Sequence, residues 1–389
     1  MTSALSAQVI GRVREVPREV WDSLLEEDAS PFVRWDWLSA LEETGCAVEA
    51  AGWIPSHVLI RCGQRVVGAC PVYLKLHSQG EFVFDHDWAA FAATLGLRYY
   101  PKILVGVPFT PVSGRRVLTA PGEDRPALIA TMGRVLMRLC EENRLSSVHV
   151  TFCAPDEAKT LSREGFLRRI DLQFHWGNRG YGDFDEYLGD LRAERRNKVR
   201  RERREPARQG IAIRAIDGED LSPEVIGTLF DLYKRHVDHH PWGRQYLTGA
   251  FFEEVGKRMG PSLLPIVAER DGRIVAGTFN VRDARALYGR YWGAFEEHRF
   301  LHFNVCYYAA IEACIARGIG RFEAGAGGDF KQLRGLDPEV TTSLHHVPDA
   351  RFRDALSSFL ARERRAVERY QADLLRTGSQ LRSVRRRDS

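Results

Sequence analysis

The stretch from Tyr288 to Gly335, YGRYWGAFEEHRFLHFNVCYYAAIEACIARGIGRFEAGAGGDFKQLRG, decides the fold of this chain. It predicts a strand over residues 286–294, a helix over 304–317 and a second strand over 320–324, followed by a glycine-rich loop over 325–331. Aromatic and cationic side chains cluster on the first strand, whereas glycines, an acid and a lysine follow the second. We therefore expect two neighbouring strand ends, joined by a helix, to form two walls of one ligand site.

Length and composition indicate a globular protein. At 389 residues the chain is long enough for two domains, each with its own core, and 44% apolar with 28% charged residues is typical of this class. No run reaches the roughly 20 apolar residues that span a bilayer. The first residues lack a secretion signal, so we expect a cytoplasmic location. Seven cysteines, without a Cys-x-x-Cys pair, predict reduced and mostly buried thiols.

Two segments of the chain resemble each other. Residues 58–69 and 266–277 each predict a strand, a tight turn and a second strand, and Arg65-Val-Val-Gly-Ala corresponds to Arg273-Ile-Val-Ala-Gly. Each hairpin is followed by a strand, an amphipathic helix and a strand, at 116–118, 125–143 and 147–152 in the first half and at 286–294, 304–317 and 321–324 in the second. Any α/β hairpin could produce part of this likeness, but the shared order of four elements favours duplication.

The organisation that follows is two domains and a tail. The first domain is predicted over 1–175, the second over 176–377, and a disordered basic tail over 378–389. The further elements are a helix over 156–164 and a strand over 166–175, then a basic helix within 190–208, a strand over 211–216, a helix over 222–239 and a charged C-terminal helix over 349–377.

The loop over 325–331 is the first candidate for chemistry. Its three glycines follow a strand directly, which permits close approach of a ligand and leaves N–H groups for an anion. Asp329 is a candidate base and Lys331 a candidate cation. Glu323, inside the strand, is costly to bury unpaired and is expected to face Arg290 or the cleft. A plain turn with solvated charges is the alternative.

The strand before the helix supplies the second wall. Gly289 and Gly293 within a strand indicate a bulge or close approach by a ligand. Arg290 could hold a carboxylate or phosphate through a two-point contact. Tyr291 and Trp292 could line the site or belong to the core.

The start of the helix adds one more candidate. Asn304 is expected to cap the helix, whereas His302 could point into the cleft at the positive helix end. The chain has no metal-ligand spacing, because the pairs His239-His240 and His345-His346 are adjacent and face apart. A serine nucleophile elbow is also absent.

The first half has its own polar cluster. His77, Glu81 and Asp85 fall in a loop between strands, where they could bind a polar substrate or form a solvated hairpin tip. Residues 99–102 and 108–111 are dense in proline and aromatic residues, as is typical of packed loops that line pockets.

A basic segment lies at the start of the second domain. Residues 192–208 carry nine Arg or Lys against three Glu, and Glu202 offsets part of this charge through Lys198. Arginines at steps of four form one arginine ridge on a helix, without a local acidic partner: Arg192, Arg196, Arg200, Arg204 and Arg208. A nucleic-acid backbone fits this ridge, and a solvated helix or packing against an acidic surface is the alternative.

These residues resemble the Fem-like N-acyltransferases, specifically the branch of predicted N-acyltransferases labelled peptidoglycan biosynthesis/recognition proteins. The matching motifs, spread from about Ser30 to Glu363, are Lys75-x-His77-Ser-x-Gly-Glu81-x-Val-Phe-Asp85, Tyr100-Pro-Lys102, Pro108-Phe-Thr-Pro111, Gln173-Phe-His-Trp176, Tyr288-Gly-Arg-Tyr-Trp-Gly293, Leu301-His-Phe303 and Lys331-x-x-Arg334-Gly335. The resemblance implies an α/β fold with mixed sheets, built from two tandem acyl-CoA N-acyltransferase (GNAT)-like domains with a long C-terminal helix. Relatives in the wider Fem group transfer an aminoacyl group from aminoacyl-tRNA to an amine of a peptidoglycan precursor.

Two departures from related patterns concern the chemistry. The branch pattern continues the glycine loop with Glu-His before the lysine, whereas this chain has Asp329-Phe330, which argues against an essential histidine there. Ordinary acetyltransferases of this fold hold the pyrophosphate of coenzyme A with a glycine-rich turn, yet residues 294–310 contain no glycine and the first half has only Gly114 and Gly122 near its helix. Aminoacyl-tRNA fits better than acetyl-CoA, and a larger acyl-CoA bound in another way stays open.

The resemblance and these residues together predict an N-acyltransferase that joins an activated acyl or aminoacyl group to an amine acceptor, such as a peptidoglycan precursor, in a cleft between the domains. Asp329 or Glu323 is expected to act as base or as the acid that orients the amine, and Lys331 with Arg334 to stabilise the oxyanion or the leaving group. Substrate contacts are predicted for His77, Glu81, Asp85, Tyr288, Arg290, Tyr291, His302 and Arg334, and nucleic-acid contacts for Arg192, Arg196, Arg200 and Arg204.

The cofactor and the function class each have alternatives. We expect no tightly bound cofactor and no metal; the donor, aminoacyl-tRNA or acyl-CoA, is a co-substrate. The rival to an enzyme is a non-catalytic module that recognises a cell-wall peptide or RNA, which the missing pyrophosphate turn also favours.

Overall fold

A computed structural model of the chain describes residues 4–27, 29–239, 243–378 and 381, and it divides into two compact units. The first unit comprises the residues up to Asp171 with segments 246–251 and 340–368, and the second comprises 172–245, 252–339 and the residues from Arg369 onward. Segments 246–251 and 340–368 therefore group with the first unit, although they fall in the range predicted for the second domain. The predicted basic tail, 378–389, lies outside the described residues except for Gly378 and Leu381.

The architecture is mixed α/β with a long C-terminal helix, which confirms the predicted fold class. The strands are β1 Leu5–Ile10, β2 Trp53–Pro55, β3 His57–Cys62, β4 Arg65–Cys70, β5 Val72–Lys75, β6 Lys102–Val105, β7 Leu118–Thr119, β8 Val148–Val150, β9 Leu167–Gly177, β10 Ala212–Ala215, β11 Ile266–Arg270, β12 Arg273–Arg282, β13 Ala286–Ala294, β14 Arg321–Glu323 and β15 Asp337–His346. The helices are α1 Arg18–Asp22, α2 Trp35–Glu43, α3 His86–Thr94, α4 Arg125–Glu142, α5 Pro155–Arg163, α6 Phe184–Asp190, α7 Ala193–Arg208, α8 Pro223–His239, α9 Gly249–Met259, α10 Leu301–Phe303, α11 Ala309–Ala316 and α12 Ala350–Gly378. A π-helical turn, Asn304–Tyr308, joins α10 to α11, and a 3₁₀ helix spans Asp329–Arg334.

The first unit contains two groups of paired strands. One is an antiparallel sheet in the order β1-β3-β4-β7. In the other, β2, β5 and β6 are antiparallel neighbours, β6 pairs in parallel with β8, and the end of β15 pairs with β8. Ile60, Val105, Leu136 and Val150 belong to one buried core, so α4 packs on these strands through its apolar face.

The second unit is built on strands in the order β10-β11-β12-β13-β14-β9. Every neighbouring pair is antiparallel except β13 with β14, which are parallel and are connected through α10 and α11. Ile266, Leu287, Ile311 and Phe322 share one buried core, because α11 covers the strands that it connects. The two strand ends that the sequence predicts to be neighbours are therefore adjacent.

The two hairpins of the internal repeat carry the same irregularity. In the first hairpin the pairing shifts by one residue between Ile60 and Arg61, and in the second it shifts between Ala268 and Glu269. These positions correspond in the repeated sequence, and a bulge adds its extra residue at one defined place. In the second half the hairpin is followed by β13, the crossover helix and β14, as predicted. In the first half β7, α4 and β8 also follow the hairpin, but β5, α3 and β6 come before them.

The helix between β13 and β14 begins earlier than predicted. It starts at Leu301, directly after Phe300 with its φ of 62°, so Asn304 lies inside the helix and its predicted role as the cap is wrong. The amide of Asn304 instead donates hydrogen bonds to the carbonyl oxygens of Phe300 (2.9 Å) and Glu202 (3.0 Å). The side chain of Asn304, which local sequence predicts to be a cap, thus binds α7 instead.

Two further findings concern the whole described chain. No helix in the described ranges is both long and apolar enough to cross a membrane. Five of the seven cysteines are buried, which confirms the expectation of mostly buried thiols.

Gly293 in β13 is in close contact with a helix. A Cβ atom on Gly293 would lie 2.0 Å from the carbonyl oxygen of Leu232 in α8. The strand and the helix backbone therefore approach so closely that only glycine fits. The neighbour that requires glycine here is a helix of the same unit, whereas the sequence predicts a bulge or close approach by a ligand.

We expect Gly293→Ala to lower the free energy of unfolding by about 1–3 kcal/mol, because the added methyl group must displace the backbone of α8. The measurement is urea unfolding followed by circular dichroism. Gly227→Ala in α8 is the matched control: its Cβ meets no atom within 4 Å, so this change should raise stability by about 0.5–1 kcal/mol. Equal stability of the wild type and the Gly293→Ala variant would contradict the close approach.

Candidate active site

Lys331 is a buried cation that follows the second strand of the parallel pair. It lies in the 3₁₀ helix after β14 and is 3% exposed. Its ammonium donates hydrogen bonds to the carbonyl oxygens of Gly325 (2.7 Å) and Ala326 (3.2 Å) in the glycine loop, residues 325–328. Burial lowers the pKa of Lys331 to about 8. Since an ammonium has three protons, these two bonds leave one proton for a ligand.

The first strand of the pair carries a bulge at Arg290. β12 pairs Phe279 with Tyr291 and Asn280 with Gly289, so Arg290 is the additional residue on β13. The bulge predicted from the glycines of this strand is therefore present. Bulges redirect a side chain and are frequent next to active sites.

The bulge and the glycine loop lie side by side. β13 and β14 pair in parallel up to Tyr288 and Glu323, and the chain continues from this point into the bulge on one strand and into the loop on the other. A Cβ atom on Gly325 would lie only 3.4 Å from the carbonyl oxygen of Gly289. The structure thus brings Arg290 to the same sheet edge as the loop that holds Lys331.

Aromatic rings surround His302 next to this edge. Its imidazole centroid lies 5.1 Å from the ring of Trp292, 5.5 Å from that of Tyr307 and 6.5 Å from that of Phe330. Burial, assisted by nearby cations that include Lys331, lowers the pKa of His302 to about 4. His302 is therefore neutral at pH 7 and can exchange hydrogen bonds without adding charge.

Trp292 and His302 also line a cavity of about 380 Å³. The other walls include His236 on α8 and the carboxylates Glu296 and Glu297 after β13. This volume is near the lower end of the range of roughly 300–1,000 Å³ for small-molecule sites. It is sufficient for a group of the size of an amino acid.

Glu323, a predicted base, is buried in an ion-pair network. It is 5% exposed, and its carboxylate lies 3.0 Å from Nε of Arg321 and 3.8 Å from Nε2 of His175. Glu339 contacts both Arg321 and His175, at 2.9 Å and 3.1 Å. The described partners of Glu323 are therefore Arg321 and His175, in place of the predicted Arg290.

Asp329, the other predicted base, begins the 3₁₀ helix that carries Lys331. Its backbone is described, but its side chain lies outside the described part of the structure. Its role as a base stays a prediction.

The two tyrosines predicted to contact substrate make internal contacts. Tyr288 donates a hydrogen bond to Asp283 (3.0 Å) and is buried. The ring of Tyr291 packs edge-on against Tyr233 at 5.0 Å, within an aromatic group that includes Phe252. Of the two interpretations given for this aromatic stripe, packing accounts for Tyr291, whereas Trp292 reaches the cavity.

Arg334, predicted to stabilise the oxyanion or contact substrate, is also engaged internally. It is 5% exposed, and its Nη2 lies 3.3 Å from a carboxylate oxygen of Glu202 on α7. The guanidinium lies over the ring of Phe303, 3.5 Å from the ring centroid. Arg334 thus joins α7 to the helix start and to the 3₁₀ helix.

In the first unit, Lys102 on β6 gathers the predicted polar cluster. Its ammonium donates to Ser78 Oγ (3.0 Å), to Glu81 Oε2 (2.8 Å) and to Asp85 Oδ2. All three protons of the ammonium are therefore used by the loop between β5 and α3. Glu81 and Asp85 anchor this loop to the sheet, and their predicted substrate contacts stay predictions.

The protonation of this cluster follows from burial and charge. Burial raises the pKa of Glu81 to about 7, although the charge of Lys102 opposes the rise. Burial alone would lower the pKa of Lys102, but the carboxylates of Glu81 and Asp85 outweigh it and raise that pKa. Lys102 is therefore a firmly protonated anchor.

His77 is bound to backbone groups of the first unit. Its Nδ1 accepts a hydrogen bond from the N–H of Gln79 (3.2 Å), which assigns the proton to Nε2, and Nε2 donates to the carbonyl oxygen of Ala51 (2.9 Å). These bonds fix the ring. Its predicted contact with substrate stays a prediction.

In the first unit, a buried carboxylate binds backbone N–H groups at a strand end. Gly114 and Cys153 form the parallel bridge there. The carboxylate of Glu157, fully buried, accepts hydrogen bonds from the backbone N–H groups of Arg116 and Val117, both at 2.8 Å. A buried carboxylate of the first unit thus binds the backbone next to this bridge.

The arginine ridge lies on α7, which continues through Pro206 to Arg208, except for Arg192, which directly precedes the helix. Four members are exposed and one is half-buried: Arg192, Arg200, Arg204 and Arg208 are exposed, and Arg196 is half-buried. Arg196 donates to the carbonyl oxygen of Gly189 (3.1 Å). The predicted ridge is therefore present on the surface of the second unit, and its nucleic-acid contacts stay a prediction.

Sequence reasoning missed two residues of structural importance. Lys102 was visible only as the end of a Tyr-Pro-Lys motif, and its three acceptors lie up to 24 residues earlier in the chain. Glu202 is expected from the sequence only to offset positive charge through Lys198, but it is 2% exposed. Its spacing from Val199 and Pro206, both buried, is the signal that places it on the inner face of α7.

Metal binding was not expected from the sequence. Within the ranges that the structure describes, no group of three or more His, Cys, Asp or Glu side chains could hold a metal ion.

Comparison with known structures identifies similar folds. The crystal structure of FemX superposes with a TM-score of 0.54 at 10% identity, covering 90% of this chain and 100% of that chain. L-PGS from Bacillus licheniformis gives 0.49 at 9% identity, covering 87% and 98%, and a tandem GNAT protein from the clavulanic acid biosynthesis pathway gives 0.47 at 13%, covering 88% and 98%. At these identities the likeness to FemX concerns the fold alone.

Comparison of the sequence gives the family. No curated protein is significantly similar to this chain. The fold is the predicted one, two tandem GNAT-like domains with a long C-terminal helix. The family model of FemAB-like proteins, described as peptidoglycan biosynthesis/recognition, matches residues 12–380, and the chain therefore belongs to the FemAB-like family.

Proposed function

We propose that this protein is an N-acyltransferase that forms an amide bond between an activated acyl or aminoacyl group and an amine acceptor such as a peptidoglycan precursor. The observation that carries this proposal is the buried ammonium of Lys331, held by two carbonyl oxygens of the glycine loop beside the bulge at Arg290. Membership of a family described as peptidoglycan biosynthesis/recognition supports the acceptor.

The reaction requires few covalent steps from the protein. The nitrogen of the acceptor amine attacks the carbonyl carbon of the donor, a C–N bond forms, and the bond to the carrier oxygen or sulfur breaks. The negative charge that develops on the carbonyl oxygen is stabilised by donors held in place beforehand. Lys331, buried and protonated at pH 7, is suited to this role or to protonating the leaving group.

The other roles follow from position. Arg290, redirected by the bulge, would hold a carboxylate of the acceptor through a two-point contact. Asp329 or Glu323 would take the proton of the amine, and of these Glu323 is tied to Arg321 by the network described above. His302, neutral beside Trp292, would contribute a hydrogen bond at the cavity, where the transferred group would lie.

For the donor we propose aminoacyl-tRNA, with the arginine ridge at α7 as the contact for its phosphates. Arg200, Arg204 and Arg208 are exposed at steps of about one helical turn, and exposed Arg192 directly precedes the helix, so together they present positive charge to a polyanion. An acyl-CoA donor is the alternative, and calorimetric titration with coenzyme A separates the two.

A second candidate function is a non-catalytic recognition module. The internal engagement of Arg334, Tyr291 and Glu323 favours it, since these predicted site residues serve packing and ion pairs. Saturable binding of charged tRNA or of a cell-wall peptide without transfer of label would support this candidate.

Lys331→Ala should reduce transfer by about 10²–10³-fold, because the oxyanion loses a positioned donor. The assay is transfer of a labelled amino acid from charged tRNA to a peptidoglycan precursor with a free amine. Since the pKa of Lys331 is lowered to about 8, the wild-type rate should fall as the pH rises through about 8 and the ammonium loses its proton. Lys331→Arg should retain part of the rate and lose that decline.

The control for this series is Lys257→Ala, which removes an exposed lysine of the same unit that pairs with Glu254. It should leave rate and pH profile unchanged. A wild-type rate that rises through pH 8 would assign Lys331 as the base, and full activity of Lys331→Ala would remove it from the mechanism.

Arg200→Ala combined with Arg204→Ala should weaken binding of tRNA and reduce the slope of log K against log salt by about 2, roughly one unit for each lost phosphate contact. Fluorescence anisotropy of labelled tRNA at several salt concentrations measures this. The matched control is Arg273→Ala with Arg285→Ala, which removes two exposed arginines of the same unit away from α7. An equal loss of slope in both double variants would show that net charge, and not the ridge, sets the affinity.

A further inference from the structure

The basic helix α7 has an inner face that carries a buried acid. Its outer face presents the arginine ridge, whereas Val199, Glu202 and Pro206 are buried. Glu202 is 2% exposed, and a buried carboxylate is costly unless it is paired and hydrogen-bonded. Its partners therefore show what this helix is built to hold.

Glu202 binds both ends of the π-helical turn. The side-chain amide of Asn304, the first residue of the turn, donates to the carbonyl oxygen of Glu202 (3.0 Å). The hydroxyl of Tyr308, the last residue, donates to the Glu202 carboxylate. A π turn is rare and occurs mostly as an insertion at functional sites, and here an acid from another helix fastens it.

The same carboxylate holds the end of the 3₁₀ helix that carries Lys331. Oε2 of Glu202 lies 3.3 Å from Nη2 of Arg334. Arg334 Nη1 in turn donates to the carbonyl oxygen of Phe330 (2.9 Å), and the backbone carbonyl of Arg334 accepts from the hydroxyl of Tyr187. Lys331 lies between these two fixed points, one residue after Phe330 and three before Arg334.

We propose that Glu202 is a positioning residue for Lys331: by pairing with Arg334 and Tyr308 it fixes the 3₁₀ helix and keeps the Lys331 ammonium against the carbonyls of the glycine loop. The catalytic part of this inference rests on the proposed function of Lys331. The positional part stands on the contacts alone.

The helix α7 then has two roles. One face of the helix presents the arginine ridge, and the opposite face holds the 3₁₀ helix with Lys331. The position of this sixteen-residue helix therefore affects two things. One is the contact of a polyanion with the ridge, and the other is the placement of Lys331. The helix α7 thus connects the arginine ridge, which suits the phosphates of the donor, with Lys331, which suits its carbonyl group.

The test is Glu202→Gln in the full-length protein, with reactivity of Lys331 as the readout that needs no substrate. Acetylation by acetic anhydride is measured at a series of pH values, and the Lys331 peptide is quantified by mass spectrometry. The wild-type midpoint should lie near the pKa of about 8. In Glu202→Gln we expect the 3₁₀ helix to loosen, so that Lys331 becomes more exposed to solvent. The pH midpoint of its acetylation should therefore rise by about one unit or more, toward the ordinary pKa of lysine.

The transfer assay adds a second readout. Glu202→Gln should lower kcat by about 10²-fold with little change in KM, the expected effect of misplacing a catalytic group by about 1 Å. Tyr308→Phe, which keeps the ion pair and removes one hydrogen bond, should shift both readouts in the same direction by less. It keeps the test decisive if Glu202→Gln fails to fold by circular dichroism.

Glu205→Gln is the matched control, since Glu205 lies on α7 one residue before Pro206 and its carboxylate pairs with Arg208 at 3.9 Å. It should leave the labelling midpoint unchanged. A wild-type midpoint in both Glu202→Gln and Tyr308→Phe would overturn the positioning role. A shifted midpoint in a protein without transfer activity would support the positioning role and reject the proposed function, so the two failures are distinguishable.

Discussion

The parallel pairing of β13 with β14 is the constraint on which the candidate site depends. Parallel neighbours require a crossover, and here α10, the π turn and α11 supply it. Both strands then reach the same sheet edge, where one continues into the bulge at Arg290 and the other into the glycine loop. Lys331 can be buried at this edge because backbone carbonyls, and not a carboxylate, accept its protons. Its charge is therefore solvated by dipoles yet remains available.

Lys102 and Glu157 are two buried charges that are satisfied in a different way. Lys102 gives its three protons to Ser78, Glu81 and Asp85, and Glu157 accepts from backbone N–H groups at the closed strand end of the first unit. A buried charge with a full set of partners holds its elements in place and loses much if a partner is removed. Lys331 differs from these residues because two carbonyl oxygens accept from its three protons.

Local sequence predicted the elements and several positions of the site. The hairpins, the strands on both sides of the crossover helix and the bulge beside Gly289 follow from periodicity and from glycine within a strand. The prediction from local sequence was wrong where the same side chain could have either of two roles. Asn304 has the composition of a cap but binds Glu202, and Glu202 has the spacing of a surface ion pair with Lys198 but is buried. In both cases the deciding partner lies about a hundred residues away.

The sequence by itself determined the fold class, the repeat of its four elements, the family and the exposed arginine ridge, because each of these is written in the spacing of neighbouring residues or in continuous motifs. Only the tertiary structure decided which partners the polar residues of these motifs have. Glu81, Asp85, Arg334 and Lys331 all lie in motifs, yet the first three are engaged by Lys102 and Glu202, and only the last is held by carbonyls alone. The physical reason is desolvation: once a charge is buried, its partner fixes its role, and that partner comes from a distant part of the chain.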